Sequence, residues 1–283
     1  MRISLLRLVC LVGTVSLAGC GPGSNPFAEK KNPEKKVINV VDETNLNDIM
    51  LTVADPNEAV SFFQNSLQKA PDRVDFQRGL ASSLVRSKRA TEALPVYKKL
   101  LTNEAATSQD RIDYADALIR SNDWKTAELE LNKVPPTVET FKRYRLEALI
   151  ADSKKQWKKA DSFYETATGL TTQPASVLNN WGYSKLTRGS YKEAEALFLE
   201  AISYDPKLFT AKNNLILSRG SQENYAFPLI QVTQIERAQL LYTLGLTAVK
   251  QGKKSIGRGL IEDAIETHPR HFEAAVRSLE ALG

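Results

Sequence analysis

The sequence predicts an all-α protein, a superhelical solenoid of about six helix–turn–helix units closed by a C-terminal capping helix. Three observations predict it. Apolar residues recur at three- and four-residue spacing along most of the chain. The same pattern returns with a period of about 34 residues. Proline or glycine interrupts it at the boundaries, as at Pro71, Pro135-Pro136, Pro174, Gly189, Pro206 and Pro269.

The cleanest unit runs from Ala175 to Lys207. Leu178, Trp181 and Lys185 share one face of its first helix, and Gly182 offers no side chain where the second helix must come close. Gly189 breaks the first helix. Tyr191, Ala194, Phe198 and Ala201 form the apolar stripe of the second, with small alanines at the contacts and aromatics between them. Asp205-Pro206 then stops it. In this register Leu178, Trp181, Gly182, Lys185, Ala194, Phe198 and Pro206 resemble the tetratricopeptide repeat, W-x₂-L-G-x₂-Y…A-x₃-F…P.

Sliding the register finds further copies. Ala148, Trp157, Ala160, Tyr164 and Ala167 form one. Tyr114, Ala115, Leu118, Trp124, Ala127 and Leu131 form another, and Leu80, Ala81, Leu84, Ala93, Tyr97 and Leu100 a third. Trp124 and Trp157 take the place of Tyr191, which argues for a packing role. Asn45 to Lys69 makes a degenerate first unit, and Pro95 is expected to weaken or kink the second helix that contains it. Phe209 to Ser218 starts a unit whose second helix meets Gly220, Asn224 and Pro228, so the pattern lapses over about 219–233. That stretch is either an eroded helix packed on its neighbours or an extended segment folded over or into the groove. Thr233-Gln234-Ile235-Glu236 reads as a capping box that starts a fresh helix, and His271 to Leu282 as the terminal cap.

The first twenty residues read as a targeting segment. Arg2 and Arg7 give a positive start, Leu8 to Val15 an apolar centre, and Leu17-Ala18-Gly19-Cys20 a processing site. Those four residues resemble the bacterial lipobox, which implies cleavage after residue 19 and lipidation of Cys20; an ordinary secretory peptide cut nearby is the alternative. Gly21 after the cysteine, by resemblance to enterobacterial lipoproteins, implies sorting to the outer membrane. The two cysteines, Cys10 and Cys20, are then both accounted for, and the mature chain has neither free thiol nor disulfide. Residues 20–44 carry Pro22, Pro26, Pro33 and a charged run, too little apolar surface to fold, and read as a disordered tether. The array then occupies 45–283.

The chain is 42% hydrophobic and 25% charged, and no stretch after the first twenty residues is long and apolar enough to span a bilayer. Removing 1–19 takes away Arg2 and Arg7 and no acid, so net charge falls from +5 to +3. That mild excess gives little reason to expect a polyanionic partner, and no nucleic-acid partner is expected. No catalytic constellation, metal site or cofactor motif is legible. The two histidines, His268 and His271, flank Pro269 at a repeat boundary with no cysteine to join them, and neither H-E-x-x-H nor a phosphate-binding glycine loop occurs.

The tetratricopeptide resemblance implies which positions face the concave wall: the second, fifth, ninth and twelfth residues of each repeat. Here these are Asp75, Arg78, Ser82 and Val85; Gln109, Ile112, Asp116 and Ile119; Lys142, Arg145, Leu149 and Asp152; Ser176, Asn179, Tyr183 and Leu186; and Thr210, Asn213 and Leu217. Arg78, Arg145, Asn179, Tyr183 and Asn213 are the candidate peptide-binding residues. Asparagine amides can both donate to and accept from an extended backbone. The Lys/Asn/Arg arrangement that clamps a terminal carboxylate in chaperone-binding relatives is not matched.

Lipobox, tether and repeat array together resemble the TadD family of lipoproteins from the tight-adherence (Flp) pilus machinery. The run Glu236-Arg237-Ala238-Gln239-Leu240-Leu241-Tyr242 through His271-Phe272-Glu273-Ala274-Ala275 is the more particular part. The resemblance implies a non-enzymatic adaptor, lipid-anchored at the periplasmic face of the outer membrane, whose partner is the pilus secretin or another assembly component. A periplasmic lipoprotein scaffold recruiting peptidoglycan or other envelope-assembly enzymes is the alternative, and an envelope enzyme is a third class.

Overall fold

Residues 46–283 are described by the computed structural model. The expected signal segment, tether and Cys20 lie outside the described residues. Among the described residues every regular element is a helix. Helix α1 (Leu46–Thr52) pairs with α2 (Pro56–Lys69), α3 (Val74–Arg86) with α4 (Ala90–Leu100), and α5 (Ser108–Arg120) with α6 (Trp124–Leu131). Next come α7 (Phe141–Ser153) with α8 (Trp157–Gly169) and α9 (Ala175–Thr187) with α10 (Tyr191–Tyr204). Helix α11 (Phe209–Ser221) has no second helix of its own. The chain resumes with α12 (Gln234–Lys250) and α13 (Lys254–Thr267), and α14 (Glu273–Glu280) closes the array.

Each helix packs on its sequence neighbours, and the front helices α1, α3, α5, α7, α9 and α11 also touch one another in order. They therefore form a continuous inner wall, while the second helix of each unit lies behind it. The apolar core follows suit, as five clusters strung along the array rather than one centre. This is the repeat solenoid that the periodicity predicts.

The register is enforced by size. An ideal Cβ on Gly182 would sit 2.6 Å from the Phe198 ring, and one on Gly79 would sit 2.3 Å from Phe63. Phe63 and Phe198 are fully buried, so helix and ring share space that only a glycine leaves free. In the unit where Ala148 replaces the glycine, Tyr164 takes the ring position and both are fully buried.

The turn after each front helix from α3 onward is a repeated left-handed cap. Lys88, Asn122, Lys155, Gly189, Glu223 and Gly252 all have positive φ, between 57° and 83°. The next amide reaches back five residues each time, Arg89 to Leu84 O, Asp123 to Leu118 O, Gln156 to Ala151 O and Ser190 to Lys185 O, at 2.8 to 2.9 Å. This is a Schellman closure. Four of those six positions are not glycine, so the local sequence hides a turn that the hairpin packing imposes.

Helix α4 continues through Pro95, so the proline does not end it. The proline lies on the exposed side. The Thr91 carbonyl that loses its donor is on an exposed turn, while Ala93, Tyr97 and Leu100 stay buried on the other face.

The lapse is an irregular strap, not a helix. Residues 222–233 contain no helix, although Glu223 still makes the left-handed turn and Asn224 N still bonds Arg219 O at 3.0 Å. Pro228 disfavours helical backbone at Phe227, and the twelve residues between α11 and α12 leave no room for a second helix and two turns. Tyr225, Phe227, Ile230 and Val232 pack on Ile216, Leu240 and Leu244, so the strap covers apolar surface that a second helix would have covered. The predicted capping box forms: Thr233 N donates to Glu236 Oε2 at 2.8 Å, and Glu236 N to Thr233 Oγ1 at 3.2 Å. At the far end Tyr242 hydroxyl meets Ser278 Oγ at 2.8 Å, and Ala275 of α14 is fully buried.

Candidate functional site: the inner wall

Two chemically different halves make up the wall. Over α3, α5 and the start of α7, the positions expected to face a partner are spent on a ladder of charges between repeats. Arg78 donates to both oxygens of Asp110, at 2.7 and 2.8 Å, and to the Ala105 carbonyl at 2.8 Å. Lys142 lies 2.7 Å from Asp113 and 3.2 Å from Asp116, and Arg145 3.6 Å from Asp116. Asp75 accepts from Arg73 and from Asn47. Ile112 is fully buried and belongs to the core, not to the wall.

The ladder has an electrostatic signature. Burial pushes the Asp116 carboxyl up, but Lys142, Arg145 and Arg120 outweigh it and hold it below the usual carboxylate value. Asp110 behaves alike: burial raises it, while Arg78 and the Thr107 cap lower it further. A carboxyl whose folded value is depressed contributes stability above its unfolded value, and that contribution is lost as pH falls through the folded one. Stability is therefore expected to hold from neutrality down to about pH 4 and to drop below it. Thermal melts across that range at fixed ionic strength check this; a melting temperature flat down to pH 2.5 would contradict the ladder.

Over the end of α7, α9 and α11 the wall changes. Asn214 Nδ2 donates to Asn179 Oδ1 at 3.0 Å, and Thr243 Oγ1 to Asn213 Oδ1 at 3.1 Å, so the two candidate asparagines each tie one front helix to the next. Each keeps its Nδ2 donors. Tyr183 is 54% exposed. It borders a cleft of about 400 Å³ lined by Leu149, Asp152, Asn179, Asn180, Ser184 and Thr210, and closed by Trp124, Trp157 and Tyr164. Five positions assigned to the wall from the sequence, Leu149, Asp152, Asn179, Tyr183 and Thr210, thus meet in one place. Arg78 lies apart, in a separate cleft of about 280 Å³ with Ser82, Gln109 and Asp113.

Sequence reasoning placed Trp124 and Trp157 in packing roles and missed that both border the cleft. Their signal was present as the recurrence of an indole at one register in consecutive units. Trp124 Nε1 donates to Asn122 Oδ1 at 2.8 Å, and the Arg188 guanidinium stands 5.6 Å from the Trp157 ring centre. Beneath them Tyr164 and Trp181 stack at 6.2 Å. Trp181 Nε1 donates to Asp161 at 2.6 Å, and Arg188 and Lys185 pair with the same carboxylate. The aromatic floor is pinned by this half-buried network, whereas Tyr183 stands exposed at the rim. The histidines lie elsewhere: His268 Nδ1 faces the Arg270 carbonyl at 2.8 Å, and His271 pairs with Glu273 at 2.7 Å.

Comparison with known proteins agrees with this architecture. The profile of the tetratricopeptide-repeat family matches residues 51–110, from the end of α1 into α5. Among curated proteins, tetratricopeptide repeat protein 21B of Mus musculus is 27% identical over 125 residues, 41% of this chain. That match spans only 10% of the relative's length. Among solved structures, a tetratricopeptide repeat protein from Parabacteroides merdae aligns with TM-score 0.55 and 15% identity over 85% of this chain and 97% of its own. The Cut9–Hcn1 hetero-tetramer of the APC/C aligns with TM-score 0.60 and 12% identity over 83% of this chain and 48% of that one. At such identities the likeness is one of fold.

Proposed function

From the premise that the chain carries tetratricopeptide repeats and folds as a tetratricopeptide-repeat superhelix, a protein-interaction scaffold, we propose that it is a lipid-anchored adaptor at the periplasmic face of the outer membrane. In this reading it holds a segment of the secretin of a tight-adherence (Flp) pilus machinery during assembly. The supporting observation in the structure is the unbroken wall of front helices with one open, aromatic-lined cleft at Tyr183. Support for the pilus comes from the sequence: the lipobox ending in Cys20, the short tether, and the resemblance of the run around Glu236 to Tyr242 and His271 to Ala275 to the TadD family. Confinement by the lipid raises the effective concentration of a membrane partner, so a groove of moderate affinity suffices.

A photo-crosslinking amino acid placed at position 183 of the full chain in cells is expected to capture a secretin. Recovery of peptidoglycan hydrolases without a secretin would instead support the envelope-enzyme scaffold. Tyr183→Ala is expected to weaken capture by about tenfold, the loss of roughly 1.4 kcal/mol that an aromatic anchor supplies. Its melting temperature should stay within about 2 °C of the parent, because the ring is exposed and holds no other side chain in place. Tyr183 is the better probe than either asparagine, since Asn179 and Asn213 also tie helices together. Undiminished capture by Tyr183→Ala would remove the cleft from the interface.

A further inference from the structure

One acidic group in the cleft has no ion-pair partner. Asp152 is the only acidic or basic side chain among the residues that line it. Both of its oxygens face neutral donors: the Tyr164 hydroxyl donates to Oδ2 at 2.8 Å and Ser184 Oγ to Oδ1 at 2.7 Å. Among the described residues no lysine or arginine lies within ion-pair distance of it. The cations whose charge reaches the site are committed elsewhere, Arg188 to Asp161 and Arg145 to Asp116.

Burial pushes the Asp152 carboxyl above its usual value, and the donors Ser184 and Tyr164 with the charge of Arg188 offset only part of that. The sign is opposite to that of the ladder acids. A raised carboxyl favours the fold when protonated, and that gain is lost as pH rises through its folded value. At neutral pH the ionised group therefore works against the fold. The surroundings are suited to a cation from outside. The rings of Trp124, Trp157, Tyr164 and Tyr183 border the cleft, and aromatic faces attract cations, more strongly where water is displaced. An apolar side chain seated there would bury the carboxylate further without a partner, and an acidic one would be repelled.

We propose that the cleft between α7, α9 and α11 is a subsite for a lysine or arginine side chain of the bound protein segment, with Asp152 as its counter-ion and the aromatic rings as its walls. The inference rests on the groove reading above and adds the charge of the segment. It predicts that the bound segment carries a basic residue flanked by groups able to bond the Asn179 and Asn180 amides.

The test is a random dodecapeptide library panned on the full chain and counter-selected on the Tyr183→Ala protein, followed by titration of an enriched peptide by tryptophan fluorescence. Enriched peptides should share a basic residue at one position. Replacing that residue by Met should weaken binding about tenfold, and replacing it by Glu should weaken it more. Asp152→Asn should bring the parent peptide to the level of its Met version and should not weaken the Met version further. Its melting temperature should be equal to or above the parent's, because an amide can still meet Ser184 and Tyr164. Should Asp152→Asn fail to fold, the Lys, Met and Glu series on the unaltered protein decides alone. Tyr183-dependent peptides that bind equally well with Met at that position overturn the cation subsite and leave the groove intact. Failure to enrich any Tyr183-dependent peptide overturns both.

Discussion

Glu236→Ala is expected to cost about 4 kcal/mol of stability and to loosen the last three helices before the rest of the array. The reason lies at the junction where a second helix is missing. Lys212 is only 2% exposed, and its ammonium reaches both Glu236 oxygens at 3.0 and 3.1 Å. Removing the partner of a buried ion costs roughly 3–5 kcal/mol, because the remaining charge is left without a partner in a medium that solvates it poorly. The same substitution deletes the capping box that starts α12, worth about 1 kcal/mol. Burial pushes the Glu236 carboxyl up, yet the Thr233 amide and Lys212 outweigh it and hold it low. Its contribution is accordingly present at neutral pH and disappears as pH falls through that lowered value.

A repeat array couples only neighbours, so the loss should be local. Hydrogen exchange should show the amides of α12–α14 losing protection while α3–α8 keep theirs. Adding Lys212→Met should recover much of the loss, since an apolar side chain suits the site once the acid is gone. A loss under about 1 kcal/mol would mean that the pair is solvated and that the strap, not the ion pair, joins the two parts of the array.

Gly182→Ala is expected to be destabilising by about 2 kcal/mol, although alanine is the better helix former by about 1 kcal/mol. The new methyl would meet Phe198 ring atoms at 2.6, 2.8 and 3.0 Å, and that ring is fully buried among Leu178, Ala194, Ala201 and Leu215. It has nowhere to retreat, so the helices of the hairpin must part. Denaturant titration measures the loss, and Phe198→Leu in the same chain should return part of it by clearing the space. Gly259→Ala, in the open on α13 with nothing within 4 Å of the new methyl, supplies the contrast: it should be neutral or stabilising. Equal behaviour at the two glycines would show that hairpin contact does not set the register.

These two sites differ in how readable they were. Gly182 stands out in the sequence because its neighbours Leu178, Trp181 and Phe198 sit at helical spacings, and spacing is a local property. Glu236 was legible as half of a capping box with Thr233 for the same reason. Its bond to Lys212 was not, since the two belong to different front helices and come together only when α12 packs on α11. The wall positions show the same division. The resemblance identified Asp116, Arg145, Asn179 and Tyr183 as lying along the inner face, and four other assigned positions meet Tyr183 in one cleft. Arg78, however, is turned into Asp110 of the next unit, where the charge ladder takes it up.

The sequence by itself determined the helical class, the repeat period, the unit boundaries, the fresh start at Thr233 and the aromatic–small pairing of each hairpin, because all of these follow from the spacing of residues along one chain segment. Only the tertiary structure decided that Lys88, Asn122, Lys155 and Glu223 adopt left-handed turns, that residues 222–233 form no helix, and which wall side chains are free. The physical reason is common to all three. A turn, a strap or a buried charge takes the conformation that lets neighbouring units bury their apolar faces and pair their ions, and those neighbours lie a full repeat or more away in the chain.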